Sequence, residues 1–376
     1  MNSELCRRLG IEFPLFAFSH CRDVVAAVSR AGGMGVFGAV KYTPDELRRE
    51  LAWIDAHCDG KPYGVDLIVP NAMAGKGMAL DDDALAAMLP EPQRAFVERL
   101  LAQGGLPAAD LDQDRRAALR AARNMSEAGA AEMLEVAFSF PIRLIANALG
   151  APPAAMIEMA RARGVPVAAL VGAREHALAQ IAAGVDILVA AGAEAGGHCG
   201  EVPTMVLVPE VVEVAGDVPV LAAGGIVTGR QMAAAMAMGA AGAWCGSVWL
   251  TTAEAEPPEP IKRKLLAAGS RDTVRARSRT GKPSRQLRSA WTDAWEGPDA
   301  PPPLPMPLQS LLTEPALARV EKLAAAGHPG AERLATYWVG QGVGLMRAAG
   351  SAAAVVQEFK TDFLAAYERL SRLLEE

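Results

Sequence analysis

The chain has 376 residues, 51% of them apolar and 21% charged, with a formal net charge of −6. That length and apolar content suit one large α/β domain with additions and exclude a disordered chain. The acidic balance argues against a general nucleic-acid binder, because phosphates select a basic surface. No run of 18 apolar residues occurs, so no membrane span is expected. Met1 to Gly10 carries Arg7 and Arg8 but no apolar signal core, and the five cysteines (6, 21, 58, 199 and 245) form no Cys-x-x-Cys pair. Both features suit a reducing cytoplasm and offer neither a disulfide framework nor a metal site.

In chain order, Phe13-Pro-Leu-Phe-Ala-Phe18 reads as a first strand and Cys21 to Ala31 as a helix stopped by Gly32-Gly33. Met34 to Gly38 is a second strand. Thr43-Pro-Asp-Glu46 starts a helix that runs to about Cys58: Thr as N-cap, Pro at the first position, Glu completing a capping box. Tyr63 to Val69 is a third strand. Residues 72–130 then break the rhythm, with helical pieces at Pro92–Gln103 and Asp110–Arg123 and no strand. An insertion there is either a lid over a catalytic face or a solvated appendage.

The alternation resumes at Ala131. Val136-Ala-Phe-Ser-Phe140 reads as the fourth strand, Val165 to Val171 as the fifth and Asp186 to Gly192 as the sixth. Pro219 to Ile226 and Gly242 to Ser247 make the seventh and eighth. Helices lie between them at Pro152–Arg163, Ala173–Ala183 and Gln231–Gly239. Eight strands alternating with helices predict a (β/α)8 TIM barrel built from 1–71 and 131–250, with 251–376 as an extension packing on it. An open doubly wound sheet is the second choice, but its Gly-x-Gly-x-x-Gly turn is missing.

Past the barrel, Lys262 to Arg288 holds ten basic residues, without the interleaved aromatics of a nucleic-acid surface. The closing helix is expected to bury Phe359, Phe363, Leu370 and Leu374 along one stripe.

Chemistry concentrates between Asp186 and Ser247. Gly224-Gly225 and Gly246-Ser247 follow the last two strands, where barrels commonly bind phosphate on backbone N–H groups. Glycines at tight βα turns are the plain alternative. His198 sits among glycines after the sixth strand, on a loop suited to presenting a proton-transfer group. Among the other histidines, His20 alone stands past a strand end that could face the same site.

Glu194-Ala-Gly-Gly-His-Cys-Gly200 resembles the Glu-Ala-Gly-Gly-His-x-Gly signature of the nitronate monooxygenases, also called 2-nitropropane dioxygenases. Pro219–Ile226, Gly242–Ser247, Thr280-Gly-Lys-Pro-Ser-Arg285 and Gly340-Gln-Gly-Val-Gly344 resemble further blocks of that family in the same order. The resemblance implies a TIM barrel with non-covalent FMN and His198 facing the flavin as catalytic residue. It implies FMN contacts from Asp66, Gly196, Gly197, Gly224, Gly225, Trp244, Cys245, Gly246, Ser247 and Gln341. Phe18, Ser19 and His20 are candidates for substrate or flavin contact. The family usually has Asn at Asp66, Gln at Ala191 and Gln at Trp244, and ends its first strand differently from Ala17-Phe-Ser-His20. An ionised Asp66 would only accept hydrogen bonds and would lower the flavin potential.

Three readings follow. One is oxidation of nitronates or nitroalkanes by O2. The second is NAD(P)H-dependent reduction of a quinone or activated alkene. The third is a barrel that holds a flavin without turnover. The sequence leaves the substrate and the oligomeric state open.

Overall fold

Short apolar runs stopped by glycine form eight parallel strands that close into a (β/α)8 TIM barrel. The computed structural model describes residues 1–68, 88–107, 111, 119, 124 and 127–374. The barrel strands are β1 (Leu15–Ser19), β2 (Met34–Gly38), β3 (Tyr63–Leu67), β4 (Leu144–Asn147), β5 (Val167–Val171), β6 (Ile187–Ala191), β8 (Val220–Ala223) and β9 (Gly242–Cys245). They pair in that order, and β9 returns to β1 through Phe16 opposite Trp244. Two-residue strand β7 (Gly197–His198) stands outside the barrel, in a small antiparallel sheet with β10 (Thr273–Ala276) and β11 (Ser284–Leu287).

Register decides which side chains face the interior. Val36 lies beside Gly64, Gly38 beside Asp66, and Asp66 beside Ala146. With a side-chain period of two, the inner face therefore carries Phe16, Val36, Asp66, Ala146, Ala191, Ala223 and Trp244. The apolar members of this set pack as one cluster, joined by Leu5, Cys6 and Leu9 of helix α1 (Glu4–Leu9). Helices α2 (Arg22–Arg30) and α3 (Pro44–His57) cover the outside. The capping box of α3 forms as the sequence predicts: the Glu46 amide donates to Thr43 Oγ1 at 3.2 Å and the Thr43 amide to Glu46 Oε2 at 2.8 Å.

The fourth strand is not at Val136–Phe140. Those residues end helix α5 (Glu127–Phe138), which buries Ala130, Met133, Leu134 and Ala137 at helical spacing, and the true strand is Leu144–Asn147. The β-propensity of Val136 and Phe138 is overridden because the 3.6-residue period runs through them from Ala130.

Within the insertion, helix α4 (Glu91–Gln103) appears where expected. It packs on the C-terminal extension: Phe96 meets Trp295 at 4.8 Å between centroids, and Gln93 Nε2 donates to the Pro302 carbonyl at 3.2 Å. The expected helix at Asp110–Arg123 lies outside the described residues except 111 and 119, and so does most of the candidate lid.

Farther on come α6 (Ala154–Ala162), α7 (Arg174–Ala182), α8 (Thr204–Ala215) and α9 (Gly229–Ala237). The extension adds α10 (Glu259–Ala267), α11 (Ala290–Trp295), α12 (Leu308–Ala325), α13 (Pro329–Leu334) and α14 (Ala352–Leu374). Its basic run serves internal acceptors. Lys262 donates to the Thr252 carbonyl, Lys264 to those of Glu332 and Ala335, and Arg279 Nε reaches Glu314 at 2.7 Å.

The expected stripe on the last helix is only half buried. Phe359 is buried and Phe363 packs at the edge, but Leu370 and Leu374 are 47% and 88% exposed because the helix runs past the body it packs on. Its anchor is the close approach to Gly229 of α9, where an added Cβ would run into the Phe359 carbonyl. Helix propensity favours Gly229→Ala by about 1 kcal/mol, whereas overpacking costs about 1–3 kcal/mol. Because the obstacle is backbone, the variant is expected to melt lower than wild type by thermal denaturation. An unchanged or raised Tm would show that α14 is free to shift.

Candidate active site

The C-terminal strand ends open into a pocket of about 330 Å³, a size typical of cofactor and small-molecule sites. Phe18 and Trp244 stack within it, 6.4 Å between centroids and 23° between planes. Tyr337 and Trp338 of the extension also line it. The structure brings together Phe18, Ser19, His20, Asp66, Gly196, Gly197 and His198 from the residues singled out in sequence. Gly224, Gly225, Trp244, Cys245, Gly246 and Ser247 meet them there. Gln341 does not line the pocket; its backbone N–H donates to the Glu194 carbonyl at 2.9 Å, behind the Gly196 turn. Cys245 packs in the outer core and its thiol pKa is raised by burial, so only its backbone can serve a ligand.

The position of His198 is fixed by backbone contacts. β7 pairs antiparallel with β11, His198 beside Ser284 and Gly197 beside Arg285. Gly197 has φ +75°, which favours glycine, and a Cβ on Gly196 would stand 2.7 Å from Val339 C and 2.8 Å from Gly340 N. Arg285 donates through Nη2 and Nε to the Ala193 carbonyl at 2.9 and 3.1 Å. The Glu194 carboxylate accepts from the amide and hydroxyl of Thr204 at 2.9 and 2.8 Å.

Thus held, the imidazole has Nε2 2.8 Å from Thr280 Oγ1. Burial pulls its pKa down to about 4, Lys282 and Arg279 push the same way, and Glu314 opposes them. His198 is neutral near pH 7 and so can accept a proton.

The glycine turns stand beside the His198 loop: a Cβ on Gly225 would meet Glu194 Cβ at 3.1 Å. Gly224 and Gly225 have φ of +103° and +70°. Gln231, in the first turn of α9, ties down that turn by donating to the Gly225 carbonyl at 2.8 Å. A Cβ on Gly246 would meet nothing nearer than Phe18 Cδ1 at 4.0 Å, so this glycine borders open pocket space. Ser247 Oγ accepts from the Gly340 amide at 2.8 Å and keeps its own proton to donate. His20 is held through Nδ1 to the Gly38 carbonyl at 2.8 Å, and burial, then Lys41, lower its pKa.

Thr280, Glu194, Arg285, Tyr337 and Trp338 shape the site without having been assigned roles in sequence. Glu194, Thr280 and Arg285 lie in blocks that stood out by resemblance, but Thr280 and His198 are 82 residues apart, too far for local patterning.

A closed barrel with glycine turns and a neutral histidine at its C-terminal mouth defines a (β/α)8-barrel enzyme. The chain belongs to the nitronate monooxygenase family, whose profile matches residues 5–362, and it is an oxidoreductase. It is 51% identical, over the full length of both chains, to Rv1533 of Mycobacterium tuberculosis, which carries the provisional name of a monooxygenase. It is 29% identical over 79% of its length, and 69% of the other, to (3aS,4S,5R,7aS)-5-hydroxy-7a-methyl-1-oxo-octahydro-1H-indene-4-carboxyl-CoA dehydrogenase of the same organism. Among solved structures, nitroalkane oxidase from Streptomyces ansochromogenes matches with TM-score 0.79 and 27% identity, covering 98% of this chain and 100% of its own.

Two glycine variants separate the walls from the space. Gly196→Ala forces the His198 loop off Val339 and Gly340 and should cost about 1–3 kcal/mol. Gly246→Leu projects into the pocket and should change stability by no more than about 0.5 kcal/mol. Denaturant unfolding of both checks this; equal losses would mean that Gly246 also packs against protein.

Proposed function

We propose that the protein is an FMN-dependent oxidoreductase that oxidises alkyl nitronates and nitroalkanes with O2, with His198 as base. The observation that carries this reading is a neutral imidazole, fixed by Thr280, on the wall of a pocket that the glycine turns after β8 and β9 also line. The residues present fit FMN. Gly246 borders open pocket space where its backbone can meet a phosphate, and Ser247 beside it retains a donor. Phe18 and Trp244 give an aromatic wall, and Asp66 Oδ1 is a buried atom with no hydrogen-bond partner among the described residues. FMN, when bound, supplies a two-electron acceptor and the reaction with O2.

The protein's own part is proton handling and exclusion of water. Thr280 Oγ1 can donate to the Lys282 carbonyl at 3.3 Å. It then accepts from His198 Nε2–H, which leaves the lone pair on Nδ1. A neutral nitroalkane gives its α-proton to that atom, and Glu314 offsets part of what burial and Lys282 cost the imidazolium so formed. A preformed nitronate needs no such transfer. Tyr337 and Trp338 make the remaining wall apolar and select a small, largely apolar substrate.

The likeness to a protein named as a carboxyl-CoA dehydrogenase favours chemistry other than nitronate oxidation on the same scaffold; the second reading is an NAD(P)H-dependent reductase of a quinone or activated alkene. Consumption of nicotinamide separates the two.

His198→Ala should slow turnover of a neutral nitroalkane by about 10²–10⁴-fold and turnover of its nitronate far less. FMN content should be retained, whereas Gly246→Leu should purify without FMN. Because His198 stays neutral down to about pH 4, kcat/KM for the neutral substrate should lose activity only as pH falls through that value. Equal loss on both substrates, or an acid limb at the ordinary histidine value, would remove His198 from the role of base.

A further inference from the structure

Asp66 is the one ionisable side chain on the inner face of the barrel strands, because Tyr63 and Cys245 point to the outer core. It is 3% exposed, it lines the pocket, and its Oδ1 has no hydrogen-bond partner among the described residues. Neighbouring β2 and β4 carry no ionisable side chain. The charged residues of α2 and α5, including Asp23, Arg30, Glu132 and Glu135, lie beyond the strand at the surface. An ionised carboxylate in that position would be a buried charge without a counter-charge, the most costly state such a group can take. A protonated carboxyl has an O–H to give, and the orphaned oxygen marks where a partner is missing.

We propose that Asp66 works as a neutral carboxylic acid that donates a hydrogen bond to the ring of the cofactor at the barrel mouth. The inference rests on the flavin reading above and specifies the chemistry of one wall of that site. Neutral Asp66 offers a donor and an acceptor side by side, as an amide would, and puts no charge beside the ring. It removes the expectation, drawn from an ionised Asp66, that this position lowers the flavin potential.

Burial holds the Asp66 pKa at about 8, opposed only by the Ala148 amide. The proton is therefore kept through neutral pH and lost above it. Other titratable groups on the pocket wall lie outside that window: His20 is lowered, His198 is lowered to about 4, and Cys21, Cys245 and Tyr337 are raised. Glu256 is paired with Lys41 at 3.1 Å.

The test is FMN affinity from pH 6 to 10, by fluorescence titration of wild type and Asp66→Asn. At pH 6.5 the two should agree within about threefold, because each offers a donor. Above pH 8 wild type should weaken by about tenfold per unit as the competent fraction falls, while Asp66→Asn stays flat. Parallel profiles, or Asp66→Asn binding more than about tenfold tighter at pH 6.5, would overturn the proposal. Infrared difference spectra supply a readout that does not need the cofactor. A protonated-carboxyl C=O band should be present in wild type at pH 6.5, absent in Asp66→Asn, and lost as pH passes 8. Its absence from wild type at pH 6.5 contradicts the neutral acid. Failure of both proteins to bind FMN at any pH overturns the flavin reading and the donor role with it, while the band still decides whether Asp66 is neutral.

Discussion

The site depends on one contact of backbone with backbone: the Gly196–His198 turn pressed against Val339–Gly340 on one side and β11 on the other. No side chain fits between the two glycines. The barrel and its C-terminal extension are joined here, and neither alone would hold the imidazole. Without β11 and the Thr280 turn, His198 would be a residue on a glycine-rich loop with no fixed tautomer. With them it is a neutral imidazole at a defined place.

The same contact explains the division of labour at the barrel mouth. β9 ends at Gly246, which leaves open pocket space, and β8 at Gly224 and Gly225, whose positive φ makes a tight turn, whereas β1, β3 and β9 contribute Phe18, Asp66 and Trp244 to the walls. The extension supplies Tyr337 and Trp338 and, through Arg285 and Gly340, the brace for the histidine loop. Lys262, Lys264, Arg277, Arg279 and Arg285 of its basic run act as structural braces, each bonded to an acceptor within the protein.

Much of this was legible in the sequence, because strand ends and glycine turns are local features. Seven of the eight strands, the capping box at Thr43 and the glycine turns at Gly224 and Gly246 follow from periodicity and punctuation alone. The fourth strand was misplaced where a helical period and a β-prone run share Val136 and Phe138. The burial of Leu370 and Leu374 failed because an apolar stripe says what a helix could bury, not how far its neighbour extends. The Thr280–His198 bond and the neutral state of Asp66 could not be read at all. One is a pairing between residues far apart in the chain, and the other is a property of depth. Gln341, carried over by resemblance, is bonded through its backbone N–H to Glu194 rather than lining the pocket.

The most direct test of the central claim is anaerobic mixing of the FMN-loaded protein with a nitronate and, separately, with NADH, following the flavin absorbance in a stopped-flow instrument. The account predicts rapid bleaching by the nitronate, little change with NADH, and full recovery of the oxidised spectrum when O2 is admitted. Rapid bleaching by NADH with none by the nitronate would contradict it, and would make this barrel a nicotinamide-driven reductase.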